Sequence, residues 1–538
     1  MPSPSHVAYR AGMTAWFRTH GTEPDVAELL TFHQDALLVL WHLDLTPCLP
    51  ILLTGYAPQP RGGDPWDPLV LLRCLLLALL VGQPSINRWV DELAASRVLR
   101  VLAGLLTSKR KRPGVGTFYD FFHRLHDGPQ RRTCEHQTQP SLDERRRSKD
   151  PQHRKPIEPP PPKEKKQRGG RRRKNEPAPP VIDPAVTAKL VAELDAARTV
   201  SNPADFLARL GALLLNTGVL ESARRGLLGD LDRIVAGGDG SPLRTGGSKH
   251  GKRLCDHPKR ERCGCPKQFS DPDAQWGYDN QRKCFFYGHH FYEISVSSQG
   301  HDLPLAIRID PGNVGDFTAS LYTYERLYKN LAALPLAITT FVADAGHDAE
   351  PIYRYLLDRG ATPIIPLKEK APAKHPVRPT VTLSPRGIPT CEAHVELSPW
   401  GSSGPRSKVF VCPVKAHKLK ACPLAPPDQP NWVCRPDAKL APVVNLHVDD
   451  NPRLCPPVPR NHPNFQKLMD LRSGCERSNS AKKECFKLEA ARHRRSSFWL
   501  IRLHLIALLQ HAKAWVAHDD AADLVSFLLG QKPQPLAA

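Results

Sequence analysis

The sequence lacks an apolar stretch long enough to cross a bilayer. Its longest apolar run, residues 69–81, is interrupted by Arg73, whereas a membrane-spanning helix needs roughly 20 apolar residues. The N-terminal segment also lacks the apolar region of an export signal. We therefore expect a cytoplasmic protein without membrane association, in which the 14 cysteines are reduced thiols or metal ligands and not disulfides.

Acidic residues are too few to balance the basic ones. The chain has 54 Asp and Glu against 75 Lys and Arg, which gives a formal net charge of +21. Such an excess indicates a polyanionic partner, and nucleic acid before a membrane surface. The alternative is a basic protein without such a partner, but clustering of the charge favours nucleic acid.

Residues 131–180 contain almost no apolar side chains. They hold 16 Lys and Arg, 7 Asp and Glu, and ten prolines, so they cannot form a core and are predicted to be a disordered linker. The run Arg171, Arg172, Arg173 and Lys174 is predicted to bind DNA phosphates without reading sequence. A solvated spacer without a partner is the alternative.

Residues 1–130 are predicted to form an all-helical domain that binds DNA. Apolar residues keep helical spacing at 69–81 and 117–125, and Ser85 is a plausible N-cap of a helix between them. Two short helices joined by a turn could form a helix-turn-helix, and a purely structural bundle is the equal alternative.

The chain beyond the linker alternates strand and helix patterns. A helical connector is predicted at 181–230, and residues 231–370 give the order β-β-β-α-β-α-β, which indicates a mixed sheet with helices on its faces. The Cys- and Pro-rich residues 371–462 are an insertion, too long for an ordinary loop. Helix returns over 463–522, and 523–538 form a tail. The strand candidates are 234–236, 283–298, 303–309, 338–343 and 362–367, and the helix candidates among them are 317–331 and 349–359.

Two aspartates follow predicted strands of this sheet. Asp239 comes after 234–236, and Asp344 comes after 338–343. If these strands are neighbours, the two carboxylates converge, and a divalent cation such as Mg²⁺ would relieve their repulsion. Taken alone, an aspartate after a strand is more often a turn or cap residue.

Three stretches resemble bacterial insertion-sequence transposases of the DDE class. The first is GGDGSPLRTG at 237–246, and the second extends from 269–279 through RIDPGNVGDF to FVADAGHDAEPIY at 341–353. The third, MDLRSGCERSNSAKK, has Arg472, Glu476 and Lys483 in the Arg-x3-Glu-x6-Lys spacing around the last acid of the class. The class has a tyrosine where this chain has Met469, which leaves the assignment of the acid unchanged.

The resemblance implies an RNase H-like α/β fold with an insertion before the last acid. It also implies that Asp239, Asp344 and Glu476 hold two Mg²⁺ or Mn²⁺ ions for phosphodiester hydrolysis and strand transfer. Arg472 and Lys483 would contact DNA phosphates, and Lys368 is a further predicted DNA contact. The expected partners are the terminal inverted repeats of the element and target DNA in the bacterial nucleoid, bound by a homodimer.

Two other functions are compatible with the same residues. An RNase H-like nuclease would use the same three acids without a separate basic region for binding DNA ends. A transposase-derived protein that binds DNA without catalysis is the second alternative, and the presence of all three acids argues against it.

Clustered cysteines predict zinc sites. Cys255, His257, Cys263 and Cys265 lie close together in the chain and could form a tetrahedral site. A second and less regular set lies in the insertion and consists of Cys391, His394, Cys412 and Cys422. Reduced thiols without metal are the alternative for both sets.

Overall fold

The computed structural model describes residues 5–56, 65–105, 112–128, 202–254, 267–368, 374–404, 406–519 and 524–530. The predicted linker at 131–180, with its run Arg171 to Lys174, lies outside the described residues. The predicted zinc loop with Cys255, His257, Cys263 and Cys265 lies outside them as well.

The N-terminal region is helical, as predicted. Helix α5 begins where the carboxylate of Asp67 accepts hydrogen bonds from the N–H groups of Leu69 and Val70, and Ser85 caps α6. Nearly every side chain of α5 is buried, which explains why its sequence is apolar on all faces. The helices are α1 His6–His20, α2 Pro24–Phe32, α3 Gln34–His42, α4 Leu49–Leu53, α5 Pro68–Leu80, α6 Ile86–Ala95, α7 Arg97–Leu102 and α8 Val115–Asp127.

No single helix among the described residues is long and apolar enough to cross a membrane. The segments Gln34–His42 and Thr46–Leu53, bent by 61°, meet the criteria of length and composition only as a pair.

A mixed sheet forms the centre of the molecule. Strands β1, β7 and β8 are parallel neighbours, and β5 pairs antiparallel with the other edge of β1. Strands β4 and β6 both pair antiparallel with β5, along its first and second halves. The strands of this region are β1 Ile234–Arg244, β2 Lys252–Arg253, β3 Lys267–Gln268, β4 Gln275–Asp279, β5 Cys284–Ser298, β6 His301–Pro311, β7 Ile338–Val342 and β8 Thr362–Ile364.

Strand β1 continues through the position of Asp239, which corrects the prediction that the strand ends before it. The glycines of the GGDG run lie within the strand, at positions where neighbouring side chains approach it closely. A Cβ at Gly237 would lie 2.6 Å from Sγ of Cys475, and a Cβ at Gly240 would collide with Asp316. Glycine is therefore required here by close packing and not by a turn.

Helices cover both faces of the sheet. Gly237 and Asp239 face α14, whereas Gly240 faces the start of α11, since side chains alternate along a strand. Helix α15 packs on β6 and also contacts α3 and α5. The helices are α9 Ala204–Leu213, α10 Leu220–Arg224, α11 Asp316–Leu331, α12 Glu350–Asp358, α13 Pro463–Asp470, α14 Ser473–Glu484, α15 Ser496–His518 and α16 Leu524–Leu528.

The insertion forms a small unit beside this sheet. Its three-stranded antiparallel sheet has the order β11-β10-β9, with β9 Ser398–Gly404, β10 Ser407–Val411 and β11 Val443–His447. Six buried residues form its core: Ile388, Leu397, Phe410, Leu446, Val448 and Cys455. The larger core of the molecule includes buried residues from the N-terminal helices, the mixed sheet and α15 together. The domain limits given above remain a prediction.

Candidate active site

Asp239 lies in the middle of β1 and faces α14. Its Oδ2 accepts a hydrogen bond of 3.0 Å from Nδ2 of Asn479. Burial raises the pKa of Asp239 to about 6, and the negative charges of Asp316 and Asp344 add to the shift, against the opposing effects of Asn479 and Arg472. A second positive charge close to this carboxyl group, in addition to that of Arg472, would therefore stabilise its ionised form.

Asp344 lies just beyond β7, the parallel neighbour of β1. Its Oδ1 accepts hydrogen bonds from the N–H of Gly346 at 2.9 Å and from Nδ1 of His347 at 2.6 Å. The bond with His347 is the main reason why the pKa of Asp344 lies below its ordinary value. Nε2 of His347 is 2.9 Å from the hydroxyl of Tyr292, which fixes the ring from its other side. Asp344 thus caps the short 3-10 helix Ala345–His347, while no hydrogen bond to Oδ2 occurs among the described residues.

The structure brings Asp239 and Asp344 together. The strands that carry them are paired in register, with Gly237 opposite Val342, and the charge of Asp344 raises the pKa of Asp239. The two strands are neighbours, which is the condition under which the two carboxylates are expected to converge.

Glu476 lies on α14 and forms an ion pair with Arg472, with an N–O distance of 2.6 Å. Its side chain is 54% exposed. The charge of Arg472 also lowers the pKa values of both Asp239 and Asp344. Arg472 is therefore a common neighbour of the three predicted acids, although no three His, Cys, Asp or Glu side chains of the described chain surround one metal position.

A buried ion pair attaches α14 to the sheet. Nζ of Lys482 lies 2.6 Å from Glu293 on β5, and both side chains are fully buried. The hydroxyl of Ser478 donates a hydrogen bond of 2.5 Å to the same carboxylate. Glu293 is the register partner of Asp239, so this anchor fixes α14 directly beside the first acid.

Two residues at the site, Asp316 and Asn479, are not predicted from the sequence. Asp316 opens α11 and lies close to Asp239, and its Oδ1 is 3.0 Å from Nε2 of His290. Asn479 contacts Asp239 from α14. In the sequence, Asn479 is indicated only by its spacing, since it lies three residues after Glu476 and therefore on the same face of a helix.

Two other predicted DNA contacts lie among the described residues, Lys483 on α14 and Lys368 after β8. Lys483 is 3.6 Å from Glu489, whereas its neighbour Lys482 is buried against the sheet. The backbone N–H of Lys368 donates to Asp348, which places Lys368 shortly after β8. Whether these lysines bind DNA stays a prediction.

Comparison with known protein families matches residues 238–510, half of the chain, to the family described as Transposase DDE domain. No curated protein and no solved structure matches the chain. The matched region includes Asp239, Asp344 and Glu476 and extends across the insertion.

Proposed function

Since the chain belongs to the DDE transposase family, with an RNase H-like α/β fold, we propose that it cleaves the ends of an insertion sequence and joins them to target DNA. The observation that carries the proposal is the pair Asp239, on β1, and Asp344, just beyond the parallel neighbour β7, with Arg472 near both and bound to Glu476.

We propose that Asp239, Asp344 and Glu476 hold two divalent cations of the Mg²⁺ or Mn²⁺ type. The donor set fits, because carboxylate oxygens are the ligands that these hard ions prefer. Burial raises the pKa of Asp239, and the charges of Asp316 and Asp344 add a repulsion that a cation would relieve. When bound, such ions activate a hydroxyl nucleophile and stabilise the leaving oxygen. Glu476 would exchange its ion pair with Arg472 for this role.

The surrounding residues orient the carboxylates. Asn479 holds one oxygen of Asp239, and His347 holds one oxygen of Asp344, which leaves the second oxygen of each aspartate available. Arg472, released from Glu476, is placed to bind a DNA phosphate next to the acids.

DNA binding itself is assigned to basic residues away from the acids. Lys483, Lys368 and the run 171–174 are proposed to contact phosphates, and the terminal inverted repeats are proposed to be held by a homodimer. The net charge of +21 supports a DNA partner.

The proposal is tested with DNA that flanks the gene encoding this chain. A labelled duplex that spans each flank is incubated with the full-length protein and Mg²⁺. We expect nicks at the outer boundaries of a pair of inverted repeats, each with a free 3′ hydroxyl, followed by joining of these ends to a plasmid.

The variants Asp239→Asn, Asp344→Asn and Glu476→Gln should lose cleavage while they keep DNA binding, since phosphate contacts elsewhere provide the affinity. Glu484→Gln, an exposed acid on the same helix as Glu476, is the matched control and should cleave normally. Full cleavage by Asp239→Asn or Asp344→Asn would overturn the proposal.

A further inference from the structure

The connection between β10 and β11 is long and has no regular structure. Residues 412–442 contain neither helix nor strand, and none of them contributes to the hydrophobic core of the insertion. A loop of this length without secondary structure is uncommon in a compact domain. Small units with little apolar core usually depend on disulfides or a bound metal for their stability.

Four cysteines meet at this connection. Cys391, Cys412, Cys422 and Cys434 all line one cavity between the connection and the sheet of the insertion. Burial raises the pKa of Cys434, and the thiols of the other three cysteines add to the shift, which places the four groups within electrostatic range. All four are free thiols. The cavity lining includes Cys434 and not His394, so the fourth residue of this cluster is Cys434, where the sequence indicated His394.

Tight turns begin at three of these cysteines. The carbonyl of Cys391 accepts a hydrogen bond from the N–H of His394, and the carbonyl of Cys422 accepts one from Ala425. The carbonyl of Cys412 likewise accepts from the N–H of Ala416. Such turns let a short segment present its thiol to a common centre.

Basic groups lie around the cavity. Arg378 and Arg435 contribute to its lining, and Nζ of Lys415 donates to the carbonyl of Arg435 at 2.5 Å. Four thiolates around a divalent cation carry a net negative charge. Arg378 and Arg435 form ion pairs with Asp450 and Glu392, so Lys415 is the cation that would compensate part of the charge of the thiolates.

We propose that Cys391, Cys412, Cys422 and Cys434 bind one structural Zn²⁺ that holds residues 412–442 against the sheet of the insertion. Four thiolates form a closed tetrahedral zinc site with Zn–S distances of about 2.3 Å. No three potential metal ligands of the described chain already surround one point, so the connection closes slightly onto the metal. This zinc site shares no ligand with the proposed active site.

The test is the zinc content of the full-length protein, measured by mass spectrometry after desalting. The double variant Cys412→Ser/Cys434→Ser should lose one zinc equivalent relative to wild type. Cys263→Ser is measured in parallel, because a loss there reports the separate cysteine loop. Cys284→Ser, on β5, is the matched control and should keep the wild-type content.

A second measurement is the absorption spectrum of the cobalt-substituted protein. Co²⁺ replaces zinc in the wild-type protein, and four-thiolate coordination should give thiolate-to-metal charge transfer and tetrahedral d–d bands, both weaker in Cys422→Ser. Hydrogen exchange over 412–442 should accelerate when a chelator is added, while exchange in α15 stays unchanged. Wild-type zinc content in the double variant, or loss of the four free thiols to disulfides without reductant, would overturn the proposal.

Discussion

At Asp239, burial and two negative charges act in the same direction on one carboxyl group. Burial disfavours the ionised form, and Asp316 and Asp344 repel it, so the pKa rises to about 6. Asp344 follows β7, the strand next to β1. Its pKa is lowered by the hydrogen bond with His347. Between the lowered pKa of Asp344 and about pH 6, the two neighbouring carboxyl groups therefore differ in charge state, and ionisation of Asp239 should accompany the binding of a cation.

Asp239→Asn should stabilise the metal-free protein above pH 6. Because folding raises this pKa from 3.8 to about 6, the protonated group favours folding below its unfolded pKa, and that contribution is lost as pH rises through about 6. We expect the variant to gain about 1–3 kcal/mol in free energy of unfolding near neutral pH, and no difference below about pH 4.

Urea unfolding in the presence of a chelator measures this difference as a function of pH. Asp358→Asn, at the exposed end of α12, serves as the control without such a pH dependence. An Asp239→Asn curve parallel to wild type at all pH values would show that the carboxyl group is not destabilised in the fold.

His347 should act as a positioning residue for Asp344. His347→Ala removes the hydrogen bond that lowers the pKa of Asp344, so Mn²⁺ affinity should fall by about 10–100-fold and its pH dependence should move to higher pH. Tyr292→Phe removes only the hydroxyl partner of the ring and should have a smaller effect in the same direction. Calorimetric titration with Mn²⁺ measures both. Unchanged affinity and pH dependence in His347→Ala would refute the role.

Helix α14 is the element that connects the third acid to the other two. It is placed by Lys482 and Glu293, which are buried together, and by Cys475 against the glycine surface of β1. Burial lowers the pKa of Lys482, and the charge of Glu293 opposes this shift. A charge left alone in this position would be costly.

Lys482→Met should therefore destabilise the protein by about 3–5 kcal/mol, since it leaves Glu293 buried without its partner. The double variant Lys482→Met/Glu293→Gln should recover part of this loss. Lys483→Met, one residue further along the helix, should change stability by no more than about 0.5 kcal/mol. Chemical unfolding at neutral pH compares the three. Equal effects at positions 482 and 483 would contradict the proposed anchor.

Element patterns were predictable where apolar periodicity is strong. The helices at 68–80 and 316–331 and the strands at 284–298 and 338–342 lie within a few residues of their predicted limits. Strand β1 was underestimated, because glycines usually interrupt a strand and only the packing of Cys475 and Asp316 explains them. The helical region predicted over 463–522 is interrupted between α14 and α15, where residues 485–495 contain only a short 3-10 helix.

The site was predictable only as far as its motifs extend. Asp239, Asp344 and Glu476 came from spacing and resemblance, whereas Asp316 and Lys482 depend on which face of a strand or helix meets another element. That information arises from tertiary packing, so no local pattern contains it. The cysteine cluster shows the same limit, because Cys434 joins the other three through a connection without periodicity.

At the scale of the whole molecule, one core joins the N-terminal helices to the mixed sheet. Helix α15 contacts α3 and α5 on one side and β6 on the other, so the N-terminal helices are connected to the mixed sheet through α15. Deletion of 131–180 should therefore leave the fold intact while it weakens binding to all DNA sequences alike. The slope of log affinity against log salt should become shallower by about 0.9 for each lost phosphate contact.

Fluorescence anisotropy with specific and unrelated duplexes over a salt series measures this effect. The control for charge is a variant in which glutamine replaces the basic residues in 171–174. It removes positive charge without shortening the chain. Loss of affinity for one DNA sequence alone would indicate that the segment reads sequence.

We propose that Asp239, Asp344 and Glu476 share divalent cations. The most direct measurement is anomalous diffraction from crystals of the full-length protein bound to DNA and Mn²⁺. Manganese peaks are expected between Asp239 and the carboxylates of Asp344 and Glu476, with Arg472 released onto a phosphate. Peaks held by Asp316 in place of Glu476, or peaks remote from Asp239 and Asp344, would contradict it.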